Sequence, residues 1–303
     1  MLPLLFPLLA DTVIAPYPHD YGQVRVHEWG VVTFTSAGTE ITGAPGGLYG
    51  HDPFGLLLVD APVVWFHGEP FGGTFTVRAE MGFITTAYPK PSEGFSGPTP
   101  VTASWRIVGR MPQPFTEVPR PSVPENTPFR WAMDFWRDVP CLDLYTQEEV
   151  YLDRFLYYET AIPDGLHARM NTVVENGRQL AGFFSPDGIR IVTGPEPLIR
   201  PDRIVPLPLV GSRSTAIRTT MHRQEILDRL CDWAGGNLKS HEIAALWNTW
   251  EPFFTERPPG EIWLLFPLPP ETVEGISSIH LQPDDPHLSV EYHRLFLGLV
   301  RLE

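Results

Sequence analysis

Prolines and glycines interrupt this chain too often for long helices to dominate it. The 303 residues include 34 prolines and 26 glycines, which are spread along the sequence rather than gathered into repeats. Proline removes a backbone hydrogen-bond donor and glycine weakens regular elements, so both collect between short elements. Runs rich in β-branched and aromatic residues lie between them, for example at 62–67, and such runs are typical of strands. The distribution favours many strands joined by prolyl loops over a helical bundle.

Helical periodicity is found late in the chain, and it predicts two helices within about 215–255. Apolar residues recur there at helical spacing, and Gly235 is a suitable stop for the first helix. The second helix is predicted to begin near Ser240 and to place Trp247 and Trp250 on one face. Pro252 predicts that this helix ends at about Glu251. The predicted fold class is therefore α+β, mainly antiparallel β and sandwich-like, with a two-helix insert near the C-terminus.

The length of the chain allows one large domain or two ordinary ones. Between residues 111 and 130 the composition turns to Pro, Ser, Thr, Glu and Asn, which marks a candidate linker or insertion. We predict a lead-in or remnant signal segment at 1–24, an N-terminal β-rich domain at 25–145, and a second β-rich domain at 146–303. One continuous sheet system is the alternative.

The charge of the chain argues against two classes of partner. The formal net charge is −14, with 36 acidic and 22 basic side chains. This balance lacks the basic footprint of a nucleic-acid-binding protein, and an anionic membrane surface would repel it. We therefore expect no nucleic-acid partner.

The first ten residues resemble the apolar core of a secretory signal, although two prolines interrupt them and no basic segment precedes them. A short apolar arm packed on the domain is the alternative. No later run reaches the roughly 18 apolar residues that cross a bilayer, so we expect no membrane span. An extracytoplasmic location, periplasmic or secreted, is favoured over a cytoplasmic one.

The chain contains only two cysteines, Cys141 and Cys231. Because they are far apart and no Cys-x-x-Cys is present, a thiolate zinc site and a dithiol redox motif are both disfavoured. One disulfide in an oxidising compartment and two separate buried thiols remain equal alternatives.

Several short segments, taken in order, resemble a family of uncharacterised bacterial proteins that open on a His-Glu-Trp-Gly-Thr-Phe-Thr strand. The segment beginning at His27 is similar to that strand, with Val31-Val32 where the family has a single Thr, and Glu159 stands where the family has a basic residue. The similar segments are 26–35, 61–66, 82–89, 154–158, 249–254, 263–267 and 297–303. The resemblance implies a secreted or envelope-associated protein with a β-rich core, and it implies no activity.

His27 and Glu28 are the candidate catalytic residues. Neighbours on a strand point to opposite faces, so only one of them is expected to face a cleft. His27, His51 and His67 are the candidate metal ligands, because three imidazoles with a carboxylate suit zinc or a similar ion with an open position for water. Their spacing matches no established ligand pattern, and hydrogen-bonded structural histidines are the favoured alternative.

Three tryptophans form a candidate ligand-binding set, namely Trp247, Trp250 and Trp263. They could line a groove for a carbohydrate or an apolar ligand. An aromatic stripe at helical spacing is more often core packing between a helix and a sheet, and that alternative is favoured.

These observations support two candidate functions, which belong to different classes. The first is a non-catalytic binding or structural protein of the cell envelope or extracellular space, with a protein, small molecule or carbohydrate as its ligand and no cofactor. The alternative is a metal-assisted hydrolase that uses His27, Glu28, His51 and His67 with a divalent metal such as zinc. The sequence leaves the oligomeric state open.

Overall fold

The computed structural model describes residues 22–34, 57–113, 121–162, 181–185, 188–192, 198–199, 203–204, 223–255, 262–268 and 270–302. These ranges contain fifteen strands and four α-helices, with a short 3-10 turn at Arg130–Ala132. The prediction of an α+β chain that is mainly β is confirmed.

The strands are β1 (Gln23–Phe34), β2 (Leu57–Gly68), β3 (Phe71–Ala79), β4 (Phe83–Tyr88), β5 (Thr102–Arg110), β6 (Asp143–Tyr145), β7 (Tyr151–Asp153), β8 (Leu156–Ile162), β9 (Ala181–Ser185), β10 (Gly188–Val192), β11 (Leu198–Ile199), β12 (Arg203–Ile204), β13 (Ile262–Pro267), β14 (Ser277–Pro283) and β15 (Ser289–Leu302). The helices are α1 (Met133–Arg137), α2 (Arg223–Trp233), α3 (Ser240–Thr255) and α4 (Pro270–Ile276).

Strand β1 lies inside the larger of two main sheets. This sheet has eight strands in the order β12-β11-β13-β15-β1-β2-β8-β4, and the second has five in the order β14-β3-β5-β6-β7. β1 pairs antiparallel with β2 and parallel with β15, which brings the two ends of the described chain side by side. Both sheets combine strands from before and after residue 145, as a continuous sheet system would. The division into domains at that residue stays a prediction.

One face of β1 packs towards the five-stranded sheet. Val24 and Val26 are fully buried in a hydrophobic cluster with Phe66 from β2. Phe75 and Trp105, from the second sheet, belong to the same cluster. Alternation along a strand sends every second side chain to this face, so the valines of β1 join the two sheets through their apolar surface.

The opposite face of β1 packs towards the helices. Trp29 and Val31 share a buried cluster with Leu246 of α3. Two indole hydrogen bonds reinforce this contact: Trp65 Nε1 donates to the Trp136 carbonyl at 3.0 Å, and Trp136 Nε1 donates to a hydroxyl of α3 at 2.9 Å. The middle of α3 is thereby packed against the face of the sheet that carries Trp29 and Trp65.

Gly30 lies between Trp29 and Val31 and faces the other side of β1, where its neighbour is Phe296 and a larger residue would not fit. A Cβ added at Gly30 would lie 2.7 Å from the ring of Phe296 on the neighbouring strand, which is closer than carbon atoms approach without displacement. The glycine after Trp29 therefore permits close packing of an aromatic ring against the backbone of β1.

Helix α3 extends further than the sequence pattern indicates. Pro252 was expected to end the helix at about Glu251, but the helix continues to Thr255, so that expectation is wrong. Proline removes one hydrogen bond to the carbonyl four residues earlier, and in the last turn the loss of a single bond is tolerated. The part of the first predicted helix before Arg223 lies outside the described residues.

Both cysteines are free thiols in the structure. Cys141 is buried, and its Sγ donates to the backbone carbonyl of Arg154 at 3.2 Å. Burial raises the pKa of the Cys141 thiol well above its usual range. Of the two alternatives for the cysteines, the structure has the separate thiols.

Across the described ranges, no helix combines the length and the apolar composition needed to cross a bilayer.

Candidate functional site

Three ionisable side chains converge where α3 meets the sheet. His27 on β1 and His67 on β2 point to the helix face, and Glu242 enters from the first turn of α3. In the register of the two strands, His27 lies opposite Trp65 and His67 lies opposite Arg25, so the two histidines are diagonal neighbours. The cluster therefore joins the middle of the sheet to the start of a helix.

Glu242 bridges the two imidazoles. Its Oε1 and Oε2 each lie 3.0 Å from His27 Nδ1, and its Oε1 lies 2.8 Å from His67 Nε2. An ionised carboxylate can only accept hydrogen bonds, so His27 donates through Nδ1–H and His67 donates through Nε2–H. These bonds fix the tautomers and orientations of both rings.

The local sequence of α3 explains why a carboxylate stands at this place. Glu242 Oε2 accepts a hydrogen bond from the backbone N–H of Lys239 at 2.5 Å. A glutamate in the first turn that reaches back to an unpaired N–H is half of a capping box, and the helix dipole favours a negative charge there. Glu242 is therefore held by its own helix before it meets the histidines.

The cluster is sequestered from solvent. The relative exposure of the side chains is 1% for His27, 5% for His67 and 0% for Glu242. Burial would raise the pKa of Glu242, but the hydrogen bonds from both histidines outweigh it and lower that pKa to about 2. Burial lowers the pKa of His27, against the opposing effect of Glu242. Glu242 is thus ionised at neutral pH.

One nitrogen atom of the cluster makes no hydrogen bond within the described part of the chain. His27 Nε2 is buried and has no hydrogen-bond partner among the described residues. Most buried side-chain nitrogens in proteins have a partner, and an exception calls for an explanation such as an ion or another bound group. Two rings contact His27 among the described residues: the ring of His67, at 4.4 Å between centroids, and that of His293, at 5.1 Å.

The ligand atoms of the three residues lie close enough together to share one metal ion. One atom from each of His27, His67 and Glu242 lies within 4.8 Å of the others. With zinc bonds of about 2.0–2.2 Å in a tetrahedron, neighbouring ligand atoms are about 3.4 Å apart. The observed hydrogen bonds to Glu242 are about half an ångström shorter than this, at 2.8 to 3.0 Å, and the ligand atoms of His27 and His67 lie no more than 4.8 Å apart. The residue types and their separations are therefore compatible with a metal ion.

The structure brings together two of the three predicted metal ligands, His27 and His67. His51 lies outside the described residues. Glu242 was not among the sequence candidates, although its position in a helical first turn was visible. It is separated from His27 by 215 residues, and no local pattern of the sequence could pair the two.

Glu28, the other catalytic candidate, lies on the opposite face of β1 from His27. Its carboxylate is fully buried and accepts hydrogen bonds from Tyr158 Oη at 2.6 Å and from Arg294 Nε at 2.5 Å. Arg294 also donates to the Ser277 carbonyl and to Glu274. Glu28 therefore belongs to an ion-pair network between strands, not to the histidine cluster.

The candidate ligand-binding tryptophans are placed mostly in the core. Trp247 and Trp250 are buried in the cluster between α3 and the sheet, at 0% and 3% exposure. Trp263 lies on β13, and its side chain is outside the described set. The positions of Trp247 and Trp250 are those of the core-packing alternative.

Comparisons of the chain with protein-family models, with curated proteins and with solved structures found no match. The resemblance to a family with a His-Glu-Trp-Gly-Thr-Phe-Thr strand stays a prediction.

Proposed function

We propose that this chain is a metal-binding protein in which His27, His67 and Glu242 hold one divalent ion, zinc first among candidates. The observation that carries the proposal is the buried convergence of these three side chains on one point. The ion would replace the direct hydrogen bonds between them and connect α3 to β1 and β2. Its role would be non-catalytic, as a structural centre of a binding protein.

The chemistry of the ligand set supports zinc over the alkaline-earth ions. Two imidazoles and one carboxylate are common zinc ligands. Calcium and magnesium prefer oxygen ligands alone, and magnesium keeps several of its waters. Copper and nickel also accept imidazole ligands and would compete for such a site in solution, so selectivity for zinc rests on the shape of the pocket and on metal supply.

The burial of the cluster supports a structural use of the ion. None of the three side chains is more than 5% exposed, and a substrate needs access to the metal. Three protein ligands also leave a fourth position, which catalytic zinc sites fill with water. A fourth ligand position of this kind makes a metal-assisted hydrolase the second candidate. Glu28 would not act as its general base, because Glu28 lies on the opposite face of β1.

The wider role remains the one expected from the sequence. The acidic composition and the apolar first residues support a protein of the cell envelope or extracellular space that binds a protein, small molecule or carbohydrate. The hydrophobic cluster shared by the two sheets supports the sandwich-like arrangement, and the docking of α3 on the sheet supports the helical insert.

Metal analysis of the full chain, purified without a chelating tag, tests this proposal. We expect about one zinc per chain after loading and dialysis, and a rise in melting temperature, because an ion that binds only the folded state stabilises it by about 4 kcal/mol at a thousand times its dissociation constant. The His67→Gln variant should lose the ion, while His280→Gln, an exposed histidine on β14, should keep it.

Two results would count against this reading. A wild-type chain that retains no stoichiometric metal would contradict metal binding altogether. The second result is that the wild-type chain hydrolyses an activated ester in the presence of zinc and that His67→Gln does not. That result would favour the metal-assisted hydrolase over the structural role.

A further inference from the structure

The unpartnered nitrogen of His27 has a direct chemical consequence once the ion is bound. When Nδ1 of an imidazole ligates a metal, the ring proton lies on Nε2. Metal-bound histidines almost always donate this second N–H to an acceptor, which fixes the ring. Within the part of the chain that the structure describes, His27 Nε2 has no partner, so the three-residue site requires an acceptor beyond its own members.

His293 stands at the right place to be that acceptor. It lies directly beside His27 in the parallel pairing of β1 with β15, so the two side chains share the helix face of the sheet. Their ring centroids are 5.1 Å apart and the rings are perpendicular. Two imidazoles joined by an N–H···N bond of about 2.9 Å have centroids about 5 Å apart, so the two rings lie at the separation of such a hydrogen-bonded pair.

The surroundings of His293 favour the tautomer that accepts. His293 Nε2 lies 3.4 Å from Glu291 Oε1, a carboxylate whose side chain is 46% exposed. A carboxylate at that nitrogen favours a proton on Nε2 and leaves Nδ1 of His293 with a free lone pair. His293 then connects the exposed carboxylate of Glu291 to the buried ring of His27.

From this geometry we infer that His293 is a positioning residue of the metal site: it accepts a hydrogen bond from His27 Nε2–H and holds that ring for ligation. The inference rests on the proposed function and adds a residue to it. His293 would not touch the ion. It would fix the orientation of His27, as Glu242 does in the metal-free cluster.

Zinc affinity and a cobalt spectrum test this role. His293→Phe keeps a ring but offers no acceptor, and His293→Gln keeps an acceptor. We expect His293→Phe to bind zinc 10- to 100-fold more weakly in competition with a chromophoric chelator, a loss typical of residues behind metal ligands, and His293→Gln to recover most of the affinity. The visible absorption of bound cobalt(II) should keep its shape in both variants, and His280→Phe should bind as the wild type does.

Several outcomes would overturn the inference. His293→Phe with wild-type affinity would show that no acceptor is needed. His293→Gln as weak as His293→Phe would indicate a packing role. A cobalt spectrum altered by either substitution would make His293 a ligand. If the wild-type chain binds neither zinc nor cobalt, the proposed function itself fails, which the wild-type measurement separates from all of these.

Discussion

Replacing Glu242 by glutamine is expected to abolish stoichiometric metal binding and to lower the free energy of unfolding of the metal-free protein by about 3 kcal/mol. The carboxylate accepts hydrogen bonds from two buried imidazoles and from the Lys239 N–H. Hydrogen bonds to a buried charge contribute about 1.5–3 kcal/mol each, and a partner left unsatisfied adds a cost. Chemical denaturation of the metal-free protein measures the loss.

The matched control is Glu251→Gln in the same helix. Glu251 is 34% exposed and pairs with Arg223 near the surface, where such pairs contribute at most about 1 kcal/mol. Equal destabilisation by the two substitutions would contradict a special role for Glu242. Retention of one zinc by Glu242→Gln would remove Glu242 from the ligand set.

The contribution of Glu242 to the metal-free protein should disappear in acid. Its pKa is about 2 in the folded chain against an ordinary value of 4.5. A carboxyl group with a lowered folded pKa stabilises fully above the unfolded value and loses that contribution as the pH falls through the folded value. The difference in unfolding free energy between wild type and Glu242→Gln should therefore shrink as the pH falls from about 4.5 towards 2. A difference that stays constant over this window would show that the carboxylate charge is not its source.

Replacing Arg294 by methionine is the second large effect we expect, with a loss of about 3–5 kcal/mol in the free energy of unfolding. Arg294 is the cationic partner of Glu28, and the exposure of their side chains is 8% and 0%. Removing one member of a buried ion pair leaves an uncompensated charge, which is strongly destabilising. Burial already raises the pKa of Glu28, and without Arg294 that carboxyl group would be protonated or would disrupt the packing.

The double variant Glu28→Gln/Arg294→Met isolates the buried charge as the cause. It should recover part of the loss, since replacing both members of a buried pair is often close to neutral. Arg106→Met is the surface control: Arg106 makes two 2.7 Å bonds to Asp284 at 35% and 50% exposure, and it should cost about 1 kcal/mol or less. Denaturant titrations in which Arg294→Met costs no more than Arg106→Met would contradict the account.

The β-rich fold and the division of β1 between two faces could be predicted from the sequence. Alternation along a strand sends His27 and Glu28 to opposite faces whatever the rest of the chain does. Their actual environments confirm this: His27 meets a helix, and Glu28 meets Arg294. The helical spacing of Trp247 and Trp250 likewise predicted a buried face, because periodicity is a local property.

The partners across these faces could not be predicted. Glu242 and Arg294 lie 215 and 266 residues from His27 and Glu28. Their pairing depends on the parallel register of β1 with β15 and on the docking of α3, and neither leaves a local signal in the sequence. The end of α3 could not be predicted from Pro252 for a related reason. The cost of the hydrogen bond that proline removes depends on where the proline lies in the folded helix.

A crystal of the zinc-loaded chain, with diffraction recorded at the zinc absorption edge, tests the central claim most directly. The account predicts one anomalous peak about 2.0–2.2 Å from His27 Nδ1, His67 Nε2 and a carboxylate oxygen of Glu242. A peak at other residues, or no peak at this cluster in crystals grown with zinc, would contradict it.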